Sequence, residues 1–251
     1  MNLEYVPLLD MQRNLYAMPT GMERFEAYLD MMIDRETGDM KLPLASMNPM
    51  GKSHLVQFID TLIGLGADEL GETAVAEARH ATREVAGDYR VALVTIDDSH
   101  GGWTNRYATE FGHRLNQSNY HKRGWIAAAM WSSERYTPEA IKVEIHTCIF
   151  RLVHTLQHGY PVTLGDALQQ EGFALFRAGA SEPTLAEVDY CKTRSILAPL
   201  LNESAMHTIM PALFGDDAAD EFGYSQLGLP PRAGLALALH DARSESQRAV
   251  S

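Results

Sequence analysis

Two groups of residues in this chain have the types and spacing for chemistry. The first is His154 and His158, four positions apart in HTLQH. On a helix that spacing places both imidazoles on one face, a turn from each other, where they can bind one divalent cation. A second helix starting near Thr163 carries Glu171. The second group is the run from Asp97 to Tyr107, DDSHGGWTNRY, the densest collection of reactive side chains in the sequence. Asp97 and Asp98 with His100 can share a proton or add to a metal site. Gly101 and Gly102 let backbone approach a ligand closely. Trp103 can stack on a flat or apolar group, and Asn105 and Arg106 supply polar contacts, the guanidinium being suited to a carboxylate or phosphate.

His154-Thr155-Leu156-Gln157-His158, followed by Glu171 in Asp-Ala-Leu-Gln-Gln-Glu-Gly, resembles the core of the gluzincin-type zinc metallopeptidases. That family carries His-Glu-x-x-His on one helix and a third ligand, Glu, on the next. The resemblance covers about 18 residues and keeps the ligand half of the motif. It implies His154, His158 and Glu171 as ligands of zinc or another divalent metal in a zincin-like fold, with His146 or Asp98 as an extra ligand. Thr155 stands where the family has its general base. A hydroxyl cannot take a proton from water near neutral pH, so the resemblance implies metal binding without ordinary peptidase activity. Asp97 and Glu144 are the candidates for the missing acid/base role. The Gly-Gly-Trp-Thr-Asn run is also similar to the Gly-x-Met-Glu-Asn edge element of one gluzincin group, at a glycine and Asn105 but without the Glu.

These side chains need rigid elements behind them. Ile145, Cys148, Ile149, Leu152, Val153 and Leu156 repeat with helical period from a start at Thr137-Pro138-Glu139 to a stop at Gly159 and Pro161. His154 and His158 fall opposite that stripe with Glu144, Thr147 and Arg151, which is also the pattern of a solvated polar face. Tyr89–Ile96, YRVALVTI, reads as a strand covered on both sides, and the Asp97–Tyr107 run follows its C-terminal end. The ends of buried strands are where a sheet holds a binding loop in place. A helix over 106–117 and a second buried strand over 124–132 complete a βαβ-like order.

Upstream, residues 1–35 read as one or two helices, with Met22, Phe25, Leu29 and Met32 as a core stripe and Arg13, Arg24 and Arg35 at the surface. A break rich in Pro and Gly follows over 37–54. Its Gly51-Lys52-Ser53 has the ending of a phosphate-binding loop, but Ser46 replaces the required glycine and no apolar strand leads in, so an NTP-binding loop is excluded. Ser53 as an N-cap, or a helix start with Lys52 holding one anion, are the readings that remain. A helical hairpin spans 54–85. Downstream, 185–201 is helical, 206–214 is short and apolar, and the final residues have a disordered composition.

The formal net charge of −12 argues against a general nucleic-acid or anionic-membrane surface. There is no long apolar run and no signal-peptide pattern, and two cysteines without CxxC spacing fit a reducing, cytoplasmic setting. The expected fold is α+β, mostly helical with a small mixed sheet in the middle. One domain is expected over 1–243: a helical N-terminal stretch (1–87), an α/β stretch (88–180), and helices over 181–214 with an irregular tail. Residues 244–251 form a disordered end. Three functional readings follow. One is a zincin-like metal-binding protein, a hydrolase with lost or altered peptidase activity. Another is a non-enzymatic protein that binds a small molecule, a peptide or a protein partner through the Asp97–Tyr107 loop, with Asp98, His100, Trp103, Asn105 and Arg106 as contacts. The third is a cofactor-independent enzyme using Asp97, Asp98 and His100 for proton transfer.

Overall fold

The computed structural model describes residues 1–99 and 104–250. The chain forms two compact units, one of Met1–Thr109 with Gln117–Cys148 and one of Glu110–Asn116 with Ile149–Ser251. The α+β reading holds, with helices dominating and a small sheet.

In the first unit β1 (Asn2–Tyr5), β2 (Asp88–Ile96) and β3 (Trp125–Trp131) form a sheet in the order β1-β2-β3. Both described pairings are parallel, with Leu3 opposite Tyr89 and Ala92 opposite Ala127, so the sheet is not mixed. Parallel neighbours need long crossovers, and helices supply them here. Between β1 and β2 come α1 (Leu9–Ala17), α2 (Met22–Met32), α3 (Ser53–Gly64) and α4 (Ala67–Ala81). Between β2 and β3 come α5 (Arg106–Leu115) and the short α6 (Ser118–His121). Every residue of β3 and the last six of β2 are buried, which is why these strands read as continuous apolar runs. Residues 2–5, expected to be helical, form the edge strand β1.

β1 covers only the start of β2, its ladder ending at Tyr5 opposite Val91. Beyond it a side chain continues the edge. Gln12 on α1 is 0% exposed. Its Nε2 donates to the Leu93 carbonyl at 2.9 Å, and its Oε1 accepts from the Thr95 N–H and hydroxyl at 2.9 Å each. One amide thus pairs the backbone groups that a longer strand would have paired.

The α2 stripe departs from expectation. Met22 is exposed and Phe25, Leu29 and Met32 are half-buried, while Arg24 and Tyr28 face inward. Arg24 is no surface charge: its guanidinium donates to backbone carbonyls of Met18, Gly51 and Tyr16, and those acceptors are what let a buried cation stay.

α7 (Pro138–His158) starts as its sequence predicts, with the Thr137 hydroxyl accepting from the Ala140 N–H at 3.2 Å. It stops at Gly159, whose φ of 89° lies in the left-handed region. In the second unit α8 (Leu164–Arg177) opens with a capping box between Thr163 and Asp166. α9 (Glu187–Leu197), α10 (Met206–Phe214), α11 (Asp216–Phe222) and α12 (Ala233–Val250) follow. α12 takes in residues 244–250, which were expected to be disordered. Its buried Leu235, Ala236, Leu237, Ala238 and Leu239 anchor the first half, and the polar second half continues the same helix. Gly172 of α8 lets the two helices meet closely, since a Cβ there would lie 2.6 Å from the Ala238 carbonyl oxygen.

Candidate functional site at the strand ends

Asp97 follows the last residue of β2 and is 4% exposed. A carboxylate there must find donors from whatever surrounds the end of the strand. Three elements of the first unit supply them. His54, in the first turn of α3, places Nε2 at 2.8 Å from Asp97 Oδ1. Asn48, in the loop before α3, donates its amide to Oδ2 at 3.3 Å. Ser132, just after β3, has its hydroxyl 3.3 Å from Asp97 Oδ1 and 3.2 Å from Asp98 Oδ1. A single hydroxyl proton serves one of the two carboxylates at a time.

The Asn48–Gly51 loop is clamped. Tyr16 donates its hydroxyl to the Asn48 carbonyl at 2.7 Å, and Arg24 donates to the Gly51 carbonyl at 2.8 Å. Asn48 Oδ1 accepts from the Met50 N–H at 3.0 Å, closing a local turn. At Gly51 a Cβ would meet Leu55 Cδ1 at 2.1 Å, Tyr16 Cε1 at 3.1 Å and the Asn48 carbonyl oxygen at 3.2 Å. A side chain at this position would force the buried Leu55 to move. The helix start expected to be capped by Ser53 has Lys52 at the N-cap and no side-chain cap.

Asp97 is an acceptor, so the hydrogen bond from His54 fixes the neutral ring as the Nε2–H tautomer and makes Nδ1 its basic nitrogen. The carboxylate side chain is 3% exposed and the imidazole 20%, so the ring reaches the surface while its partner is covered.

Asp98 holds the other side of the strand end. Its carboxylate accepts from Arg106 Nη1 at 2.7 Å, from the Ser133 N–H at 2.9 Å and from the Ser133 hydroxyl at 2.7 Å. Burial would raise its pKa, but the bonds from Arg106 and Ser133 bring it below the usual value. Arg106 also pairs with Glu134 and lies over the Trp131 ring, 4.0 Å from its centroid. Asn105, expected to contact a ligand, is the cap of α5: its Oδ1 accepts from the Ala108 N–H at 2.9 Å. Glu144, expected as an acid/base candidate, accepts from the Cys148 thiol at 3.4 Å on α7. His146 bonds the Ala74 carbonyl at 2.9 Å. His100 and Trp103 lie outside the described residues.

The expected metal ligands fall in the second unit. His154 and His158 have ring centroids 4.6 Å apart. The face they share is covered at Arg151 and His154 and open at His158. Glu171 is 0% exposed and does not fit as their companion. Its Oε1 accepts from Arg151 Nε at 2.6 Å and its Oε2 from Arg151 Nη2 at 3.1 Å, and Arg114 also bonds Oε2. Burial would raise its pKa, yet the two guanidiniums hold it at about 2. Both oxygens thus serve an ion network. Arg114 continues that network to Glu110 at 2.8 Å, and Arg232 grips Glu110 with two bonds of 2.8 and 2.9 Å. Among the described residues no three of His, Cys, Asp and Glu are grouped to hold a metal ion. Thr155, in the place of the family's general base, donates within the helix or to Gln170. His113 is buried beside this network. Burial first, then Arg151 and Arg114, lower its pKa to about 4, against an opposing pull from Glu110.

A cleft of about 610 Å³ in the second unit is lined by Leu168, Phe173, Phe176 and Leu237, with Asp241 and Glu245 as its charged groups. Asp241 is held by Arg194 and His240. Among the described residues no helix is long and apolar enough to cross a membrane. No protein-family profile, curated protein or solved structure matches the chain.

His54, Asn48 and Ser132 do not stand out as site residues in the sequence. One signal is present there: an acidic residue directly after a mostly apolar strand must be given donors from elsewhere. A glycine- and proline-rich break holding Asn48 and His54 is a source of them.

Proposed function

We propose that the ends of β2 and β3 form an acid/base centre acting on a small polar molecule or peptide, with His54 as the proton-transfer group. The observation that carries this is the 2.8 Å bond between His54 Nε2 and the buried Asp97 carboxylate. Asp97 orients the ring and stabilises the imidazolium formed when Nδ1 takes a proton, a contribution of about 10²–10⁴-fold in rate for a positioned base. Asn48 keeps Asp97 in place, and the Asp98–Arg106–Trp131 stack forms the rim. Of the groups expected for proton transfer, Asp97 keeps a role as orienting partner. Asp98 is occupied as the anchor of Arg106. A zincin-like hydrolase reading has weaker support, because Glu171 is engaged by two arginines.

The test is a panel of ester, phosphoester, amide and enolisable substrates, run on the wild type and on His54→Gln. The proposal expects a turnover that falls at least a hundredfold in His54→Gln while ligand binding persists. An activity indifferent to His54, or a ligand site for which neither His54 nor Asp97 matters, would refute it.

A further inference from the structure

We infer that His154 and His158 form a two-imidazole site for a divalent transition-metal ion, without Glu171 as a ligand. The site lies in the second unit and is independent of the acid/base centre in the first. His154 Nδ1 is buried and has no hydrogen-bond partner among the described residues, in a side chain whose residue is 9% exposed. Unprotonated, that nitrogen carries a lone pair that a metal ion can take up.

The distance between the rings suits a shared ion. A metal about 2.1 Å from a ring nitrogen stands roughly 3.2 Å from the centre of that ring. Two centroids 4.6 Å apart then subtend roughly 90° at the metal. That is the angle between adjacent ligands in tetragonal or octahedral coordination, smaller than the tetrahedral angle of structural zinc. The remaining positions go to water, since His158 is exposed at the end of α7. Phe173 also packs against the His154 ring, 5.5 Å between centroids. Imidazole donors, a right-angle bite and open positions favour Cu²⁺ or Ni²⁺ over Zn²⁺.

The experiment titrates metal-free, untagged protein with CuCl₂, NiCl₂ and ZnCl₂ by calorimetry, and records the electron paramagnetic resonance of the Cu²⁺ form. The inference expects one Cu²⁺ per chain, nitrogen hyperfine structure, and tighter binding of Cu²⁺ and Ni²⁺ than of Zn²⁺. His154→Ala and His158→Ala should each weaken Cu²⁺ binding at least tenfold. His158 is exposed, so its replacement tests the site even if the buried His154 variant folds poorly. Binding unchanged in His158→Ala, or no Cu²⁺ bound at stoichiometric level, overturns the inference. Zinc bound most tightly, and released by Glu171→Gln in protein that remains folded, would overturn it in favour of the three-ligand zincin arrangement. None of these outcomes bears on His54, so the acid/base proposal stands or falls separately.

Discussion

Replacing Glu171 with Gln removes the one charge around which Arg151 and Arg114 are both arranged. The side chain keeps its shape, but the buried Arg151 loses the Glu171 charge, while the partly buried Arg114 still pairs with Glu110. Two routes give the size of the effect. The carboxyl sits at a pKa of about 2 against an ordinary value of 4.5, a difference on the order of 3 kcal/mol of stabilisation at neutral pH. Breaking a buried pair by removing one partner costs about 3–5 kcal/mol, because the other charge stays buried. A loss of about 3–5 kcal/mol at neutral pH is therefore expected, read from urea unfolding followed by far-ultraviolet circular dichroism. The pH dependence has a definite sign. The folded pKa is depressed, so the contribution is fully present above the ordinary carboxyl range and fades as pH falls from about 4.5 to about 2. The Gln variant has no such titration, so the gap between it and the wild type should close across that window. A loss under about 1 kcal/mol, or a gap that does not change with pH, would refute the account of this network.

Two further perturbations test the frame around the sites. His113 is held neutral with a pKa of about 4, so the unfolded chain takes up a proton first as pH falls from the ordinary 6.5. Stability should be full above that value and decline toward pH 4, and His113→Asn should abolish this component of the decline in unfolding titrations. Gln12→Met keeps the bulk of the side chain but leaves the Leu93 carbonyl and the Thr95 N–H buried without partners. At about 1–3 kcal/mol for each, urea unfolding should show a loss of roughly 2–6 kcal/mol, and faster amide exchange at Thr95.

The helices and strands nearest the chemistry were legible because local rules and burial agree there. The Thr137–Pro138 start, the Gly159 stop and the two apolar strands each follow from a short stretch of chain. β1 was not legible, since four residues gain strand structure only by pairing with β2 far along the chain. The disorder expected after residue 243 failed for a related reason. Composition described the polar half of α12, while the buried Leu235–Leu239 half set its conformation. Arg24 and Arg151 read as surface charges because a helical wheel shows only where a side chain points, not what covers it. Glu171 was recognisable as important from its place after HTLQH, but its role depends on Arg114 and Arg151, which the local pattern does not reveal. At the strand ends, Asp97 and Asp98 were visible and their partners were not. His54 and Asn48 lie more than forty residues upstream, and the fold alone brings them to the carboxylate.

The central claim is that a buried carboxylate orients His54 for proton transfer. The imidazole ¹⁵N resonances of His54, in the wild type and in Asp97→Ala, test it most directly. The account predicts the neutral ring in the wild type as the Nε2–H tautomer, with Nδ1 unprotonated, and a mixture of tautomers once Asp97 is gone. A neutral His54 protonated on Nδ1, or a spectrum indifferent to the loss of Asp97, would contradict it.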